Sequence, residues 1–394
     1  MSEERSVESR LEVVDILRGF ALAGLFLVHM IESYELYWSR PDGGPIGDTV
    51  YLLFAGKSFS LLALCFGFSF YVLMERAAQR GVDFTARFAW RLTVLLVIGF
   101  LHALVYRGDI IQLLAAMGFL LLIAHRVKNN RVLVAAAIFF LAQPLLWVQL
   151  AAAASGAAWA NQLPLHYQDP GMPIYLHGSL AEMLQVNLWA GQWSKWWFMV
   201  ESGRVMQIMG LYLIGMVLGR IGFFARLGEF AKARWIALAV ALGAAVALYW
   251  WRGDLAAWFA GQGHGDGANR EFGYILGSWF ELAGMSSWAL ILCALYGTRL
   301  RALVHPFAAM GRLTLTLYIA QSLVFVPVFY GFGLGHWADW SQGTRLTVGL
   351  AALAVQLVFA AAWLKRFHYG PIEWVWRALT YWRRDIPFVR KIAA

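Results

Sequence analysis

Residues 11–31, LEVVDILRGFALAGLFLVHMI, form an apolar run that is long enough to cross a bilayer as a helix. Ionisable residues interrupt it, with Asp15 and Arg18 near one end and His29 near the other. A helix places Arg18 and His29 about 16 Å apart along its axis and, because eleven residues make three turns plus about 20°, on one face. Ionisable groups are costly in lipid, so this face should be turned toward protein or water.

Two interpretations of this stretch are open. In the structural one, Arg18 extends to the cytoplasmic headgroups and His29 forms a hydrogen bond with another helix. In the functional one, the same stripe lines a site. The spacing does not decide between them, because Arg91 and His102 repeat it.

The composition is that of a membrane protein. Of 394 residues, 60% are apolar and only 14% are charged, which predicts an all-α polytopic membrane protein. The net charge of +9 does not indicate a nucleic-acid partner, because the basic residues fall in short tracts between apolar runs. The expected surroundings are therefore a lipid bilayer.

About ten transmembrane helices are predicted, at 11–31, 50–74, 91–106, 110–125, 132–154, 202–219, 235–251, 273–298, 311–331 and 345–364. Their connections alternate in charge. One set holds 24 of the 32 Lys and Arg residues and the other set holds only five. By the positive-inside rule, both termini are predicted to be cytoplasmic.

The chain is predicted to form a single transmembrane domain, 1–394, with two distinctive segments. Segment 155–200 reads as an extracytoplasmic loop whose second half is an interfacial, tryptophan-rich stretch. Segment 365–394 reads as a cytoplasmic amphipathic segment, because proline, an early glutamate and tryptophans followed by arginine begin a helix there.

Several further polar residues lie within the apolar segments. Lys57 opens the second helix near the outer surface, where a lysine can extend to water, and structural and functional roles are equally open. Asp109 lies two turns after His102, although Gly108 argues against a continuous helix between them. In the ninth helix, Tyr318 and Gln321 share a stripe that serves either interhelical hydrogen bonds or a substrate path.

Motifs along almost the whole chain resemble the YeiB-type family of bacterial membrane proteins, a domain of unknown function (418). The motifs are Leu17-Arg18-Gly19, Gly56-Lys57-Ser58-Phe59, Gly99-Phe100-Leu101-His102, Gly108-Asp109-Ile110, Gly311-Arg312-Leu313-Thr314 with Tyr318 and Gln321, and Tyr369-Gly370-Pro371-Ile372-Glu373-Trp374 with Trp376-Arg377. The resemblance implies a multi-pass protein of the bacterial cytoplasmic (inner) membrane.

That family is similar to a wider set of transmembrane acyltransferases, including the acyltransferase-3 enzymes and heparan glucosaminide acetyltransferase. In acyltransferase-3 proteins, an Arg, ten residues and a His mark the first helix, and the His is taken as catalytic. Arg18 and His29 fit this motif position for position. YeiB-type relatives more often carry Asn at the His position, so this chain departs from its nearer family.

The resemblance implies transfer of an acyl group, acetyl for example, from cytoplasmic acyl-CoA to a hydroxyl or amine. His29, with an ordinary pKa of about 6.5, is the expected base or acyl carrier, and Glu32 one turn on would orient its ring. His102 is a second catalytic candidate. The residues expected to bind the phosphates of the coenzyme are Arg18, Arg76, Arg80, Arg87 and Arg91. No metal is expected.

The acceptor is left open as a glycan, lipid or small molecule, extracytoplasmic or embedded in the membrane, and a homodimer is also left open. A rival function is a small-molecule transporter or permease of the inner membrane. Its polar lining, equally a substrate path for an enzyme, would be Asp15, Lys57, Asp109, Tyr318 and Gln321. A third alternative is a scaffold that binds no small molecule.

Overall fold

The computed structural model describes residues 2–390, with side chains from residue 12 onward. This part of the chain is helical, with one isolated β-bridge between Phe367 and Val389. The α-helices are α1 (Ser2–Ile31), α2 (Pro45–Phe54), α3 (Lys57–Ala78), α4 (Thr85–Val105), α5 (Ile111–Ala124), α6 (Asn130–Leu141), α7 (Pro144–Ala154), α8 (Met172–His177), α9 (Leu180–Leu188), α10 (Ala190–Glu201), α11 (Arg204–Arg220), α12 (Ala231–Ala260), α13 (Asp266–Tyr296), α14 (Arg301–Val304), α15 (Pro306–Arg312), α16 (Thr314–Phe329), α17 (Gln342–Arg366) and α18 (Pro371–Tyr381).

The helices confirm the prediction of an all-α polytopic membrane protein. Each of the ten predicted segments coincides with a helix or a broken helix. Within residues 2–390, seven spans are long and apolar enough to cross a membrane, and two bent pairs, α10 with α11 and α14–α15 with α16, raise the number to nine. The remaining predicted span is α5, which has only 14 residues. The predicted orientation of the termini stays a prediction.

Three of the predicted continuous helices are broken, each at an identifiable residue. Segment 50–74 breaks at Gly56, whose φ of 70° is available to glycine at little cost. Segment 132–154 breaks at Gln143, which adopts a φ of 65° directly before Pro144. Segment 311–331 bends by 80° next to Leu313. Apolar length alone could not predict these breaks.

Helix α1 is the central element of the bundle. Its most apolar stretch is 83% buried, whereas that of α12, on the periphery, is 11% buried. Close packing with α15 depends on two glycines, because a methyl group at Gly19 would collide with the carbonyl of Phe307, and one at Gly311 with that of Asp15. The backbones of α1 and α15 therefore touch, which is the role of small residues in membrane helices.

The chain leaves α1 in a left-handed turn. Ser33, Tyr34 and Glu35 have φ values of 48°, 54° and 75°, although none is glycine. Such a conformation costs about 1–2 kcal/mol per residue, so the surrounding packing must hold it. Its consequence is that Tyr34 folds back beside the ring of His29, at a centroid distance of 5.3 Å.

Helix α18 docks against the bundle at the ends of α4 and α16. The carboxylate of Glu373 accepts hydrogen bonds from the backbone N–H groups of Leu315, at 2.8 Å, and Thr316, at 3.0 Å, and so caps the start of α16. The indole of Trp376 donates to the backbone carbonyl of Arg91 at 2.9 Å. Residues 391–394 of the predicted C-terminal segment lie outside the described part of the chain.

Candidate active site

A cavity of about 420 Å³ opens between α1, α3, α4, α5, α16 and α18. That volume is typical of a pocket for a small molecule or cofactor. Its walls are mainly apolar, with Leu22, Leu62, Phe66, Leu92, Leu95 and Leu114 among the lining residues. Cationic side chains also line it, namely Arg18, Arg76, Arg91, Arg312 and Arg377.

The arginines lie on the predicted cytoplasmic side. The guanidinium groups of four of them form no ion pair or hydrogen bond with the described residues; these four are Arg76, Arg91, Arg312 and Arg377. Two of these make cation–π contacts instead, since Arg91 lies 3.6 Å from the ring centre of Trp376 and Arg377 lies 5.0 Å from that of Tyr369. Positive side chains that pair with no carboxylate around one cavity favour an anionic ligand.

Arg18 differs from the other four because it already has partners. Its guanidinium donates to Asp15 Oδ1 at 2.8 Å and to Ser69 Oγ at 2.7 Å. Asp15 therefore serves the cavity indirectly, by holding Arg18. Arg80 and Arg87, which the sequence grouped with Arg18, are exposed and do not line the cavity, and Arg87 instead lies over Tyr381.

At its other end the cavity reaches Tyr318 and Ile110. Val105 ends α4 fourteen positions after Arg91 and is followed by the turn that leads to Ile110. Fourteen positions correspond to about 21 Å of helix. Tyr318 also contacts the two buried histidines, with ring centres 5.1 Å from His102 and 6.4 Å from His29. The cavity therefore runs from the arginines to Tyr318, and the ring of Tyr318 separates it from both imidazoles.

His102 and Asp109 form a buried pair at this end. His102 Nδ1 lies 2.7 Å from Asp109 Oδ1, and each side chain is only 1% exposed. The sequence left this contact open because a continuous helix was not expected. The structure achieves it differently, since α4 ends at Val105 and the following turn returns Asp109 to His102.

The pair is itself held in place by polar contacts. Asp109 Oδ2 accepts the backbone N–H of Gln112 at 2.9 Å, and the Gln112 side chain donates to Gln192 Oε1 at 3.0 Å. Nε2 of His102 is buried and has no partner among the described residues. An imidazole fixed by a carboxylate on one nitrogen, with the other nitrogen free, is the arrangement of a general base.

His29 lacks such a partner. It is 6% exposed and lies against Tyr34 and Tyr106, with ring centres 5.3 and 5.2 Å away, and it makes no hydrogen bond through its side chain with the described residues. The predicted contact with Glu32 is not formed, because α1 ends at Ile31 and the left-handed turn follows. Of the two histidines beside Tyr318, His102 is the one that meets a carboxylate, that of Asp109.

A cluster of ion pairs covers the histidines on the predicted outer side. Glu35 accepts from Arg107 at 3.0 Å and from Lys195 at 2.9 Å, and Arg107 also pairs with Asp169. Two cations here meet two carboxylates. This outer cluster is therefore neutralised within the protein, unlike the arginines of the cavity.

Two residues assigned to a substrate path lie elsewhere. Lys57 is only 4% exposed, donates to the carbonyls of Ala55 and Tyr51 and lies 4.5 Å from the ring centre of Phe280, so it does not extend to the outer surface as predicted. Gln321 donates to Gln356 of α17 at 2.7 Å, an interhelical hydrogen bond. Neither residue lines the cavity.

Four residues on the cavity wall were given no role from the sequence, namely Ser69, Arg312, Glu373 and Arg377. A signal for three of them was present, because Arg312, Glu373 and Arg377 stand within the motifs that carry the family resemblance. They lie at least 221 residues along the chain from the first arginines (Arg91 to Arg312), which concealed that they share one cavity.

Known proteins match the chain in two parts. Residues 10–176 match the family described as heparan-alpha-glucosaminide N-acetyltransferase, catalytic, and residues 218–383 match a protein of unknown function, DUF418. The first part carries His29, His102 and Asp109, and the second carries Tyr318 and Arg312. The candidate site is thus assembled from both matched parts.

Individual relatives match along nearly the whole chain. The chain is 28% identical to the uncharacterized protein YxaH of Bacillus subtilis, with 94% of each chain covered. It is 26% identical to the uncharacterized protein YeiB of Escherichia coli, over 93% of this chain and 95% of that one. The chain is thus a multi-pass membrane protein that is similar to YeiB-like proteins over nearly its whole length and, over residues 10–176, to acetyltransferases of the heparan-alpha-glucosaminide type.

Proposed function

We propose that the protein is a transmembrane acyltransferase that moves an acyl group, acetyl in the simplest case, from acyl-CoA to a hydroxyl or amine. The observation that carries this proposal is one cavity with arginines that form no ion pair at one end and, at the other, Tyr318, whose ring contacts His102 of the His102–Asp109 pair. The match of residues 10–176 to an acetyltransferase catalytic domain supports it.

The donor fits the cavity by charge and by length. Guanidinium groups pair bidentately with phosphates, so the arginine end suits the diphosphate and ribose phosphate of the coenzyme. The apolar walls suit an extended pantetheine arm, whose thioester then reaches Tyr318, next to the histidines. Because the arginines lie on the predicted cytoplasmic side of a bacterial inner membrane, the donor enters from the cytoplasm, where acyl-CoA is present.

His102 is proposed as the base of the reaction. As the acceptor oxygen or nitrogen attacks the thioester carbon, its proton passes to His102 Nε2, and the resulting imidazolium is stabilised by Asp109. His29, one ring away, holds the acceptor or carries the acyl group in an alternative two-step route. The acceptor, a glycan, lipid or small molecule, approaches from the predicted outer side or from the membrane.

Thermal stability of the purified protein with acetyl-CoA tests the proposal. A ligand at about 100 times its Kd adds about 2.7 kcal/mol to the free energy of unfolding. We expect the wild type and the control variant with Arg80→Ala and Arg87→Ala to show this shift, and the variant with Arg312→Ala and Arg377→Ala to lose most of it.

The control matches the test variant in the number of arginines removed and in their exposure, but its residues lie outside the cavity. Equal shifts in all three proteins would contradict the proposed donor site. The absence of any shift in the wild type, together with solute flux in liposomes without a donor, would favour the transporter alternative.

A further inference from the structure

We propose that the hydroxyl of Tyr318 donates a hydrogen bond to the thioester carbonyl oxygen and to the oxyanion that forms from it. This inference rests on the proposed acyl transfer and adds a catalytic residue to it. From the sequence, Tyr318 was assigned to interhelical hydrogen bonding or a substrate path; its position in the cavity gives it a specific chemical role.

The first observation is the direction of the hydrogen bond at Tyr318. Its oxygen accepts the backbone N–H of Ile110 at 3.3 Å, so the phenolic proton is not used in that contact. Among the described residues, no acceptor receives this proton. Because Tyr318 and Ile110 both line the cavity, the proton is available to a bound carbonyl.

Two other buried tyrosines of the bundle donate their hydroxyl protons within the fold. Tyr212 donates to the carbonyl of Leu114 at 2.7 Å, and Tyr330 donates to the carbonyl of Tyr34 at 3.1 Å. Those protons are consumed within the fold, as expected for structural tyrosines. Tyr318 is instead polarised by a backbone donor, which makes its own proton a better donor.

The second observation is the position of Tyr318 beside the base. Its ring centre lies 5.1 Å from that of His102, whose Nε2 is buried and unpartnered. A thioester at this end of the cavity meets a proton acceptor and a proton donor that are neighbours. Donors fixed in advance where negative charge develops are usually the largest single contribution to such reactions.

The step balances without ionisation of Tyr318. The acceptor oxygen forms a bond to the thioester carbon, the π electrons move to the carbonyl oxygen, and the acceptor proton moves to His102 Nε2. The carbonyl then re-forms, the carbon–sulfur bond breaks, and the thiolate takes the proton from His102. Throughout, Tyr318 keeps its proton and stabilises the oxyanion by a hydrogen bond.

The test compares Tyr318→Phe with Tyr212→Phe in the full-length protein, with acetyl-CoA labelled with ¹³C at the carbonyl. Infrared difference spectra report the carbonyl stretch of the bound donor, which a hydrogen bond moves to lower frequency. We expect a lowered frequency in the wild type and in Tyr212→Phe, and a return toward the free value in Tyr318→Phe. The apparent Kd for acetyl-CoA, obtained from thermal shifts, should differ by less than about threefold among the three proteins.

In turnover, loss of one such donor should lower kcat by about 10²–10³-fold in Tyr318→Phe, with KM nearly unchanged. Tyr212→Phe should lose stability but keep kcat. If the donor binds and its carbonyl frequency is the same in all three proteins, the role of Tyr318 is refuted while the donor site stands. If acetyl-CoA does not bind the wild type at all, the proposed function fails, and the role of Tyr318 fails with it.

Discussion

The two ends of the cavity hold their charges in opposite ways. At the arginine end, four guanidinium groups form no ion pair, because the nearby carboxylates are bound elsewhere, Asp15 to Arg18 and Glu373 to the start of α16. Beyond Tyr318, at what we call the histidine end, Asp109 is bound to His102. Positive side chains without a carboxylate partner around one cavity favour an anionic ligand. The second arrangement is already complete and orients a base. In the proposed reaction, one end would recognise the donor and the other would supply the base.

The largest expected effect comes from breaking the histidine end. His102→Ala should lower kcat by about 10³-fold, because general-base catalysis contributes about 10²–10⁴. The matched variant His29→Asn, which removes the imidazole without a carboxylate partner, should lower kcat by less than about tenfold. Release of coenzyme thiol from acetyl-CoA in membranes that contain each variant measures both.

A thermal shift with acetyl-CoA serves as the control for folding of both variants, since neither residue contacts the arginine end. If His29→Asn abolished activity while His102→Ala retained it, the assignment of the base would be reversed. Equal large losses would instead point to the two-step route through an acylated His29.

A smaller effect, on the free energy of unfolding, is expected from a change in the outer cluster. Glu35→Gln should lower the free energy of unfolding by about 3 kcal/mol, because it leaves Arg107 and Lys195 short of a partner. The apparent Kd for acetyl-CoA should not change, since this cluster is neutralised within the protein. A weakened donor affinity with unchanged stability would show that the outer cations act on the donor.

Within the arginine end, free and partnered arginines should differ. Arg312→Ala should raise KM for acetyl-CoA about tenfold, equal to about 1.4 kcal/mol, with kcat nearly unchanged. Arg18→Ala should raise KM only about threefold, because Asp15 already neutralises Arg18. Steady-state kinetics of the two variants decides this, and a larger effect of Arg18→Ala would mean that Asp15 does not reduce its role in binding.

The sequence predicted the fold well because apolar length and the placement of basic residues are local properties. Arg18, Arg76 and Arg91, which the sequence grouped at the inner ends of the apolar segments, do line one cavity, but the same criterion included Arg80 and Arg87, which lie outside it. Their expected role in binding the coenzyme stays a prediction. Which side of a helix end faces a cavity depends on packing between distant segments. Local sequence patterns do not contain this information.

Prediction of the contact between His102 and Asp109 was limited in the same way. Glu32 was a reasonable partner for His29 at helical spacing, but α1 ends at Ile31 and the expected geometry does not exist. Conversely, seven residues separate His102 from Asp109, and a turn rather than a helix brings them together. Predicting either outcome required the positions at which helices end, which is where reasoning from periodicity is weakest.

The smallest expected effect concerns the turn that covers the histidine end. Ser33 is fully buried, has a φ of 48° and leaves its hydroxyl without a partner among the described residues. Ser33→Gly should raise the free energy of unfolding by about 1 kcal/mol, because glycine adopts this conformation without steric cost and the unpaired hydroxyl is removed. Ser33→Ala, the matched control, removes the hydroxyl but keeps the strain, so it should stabilise less. Thermal unfolding in detergent measures the difference, and a lower stability of Ser33→Gly than of Ser33→Ala would mean that the turn is not strained and that the serine itself holds Tyr34 over His29.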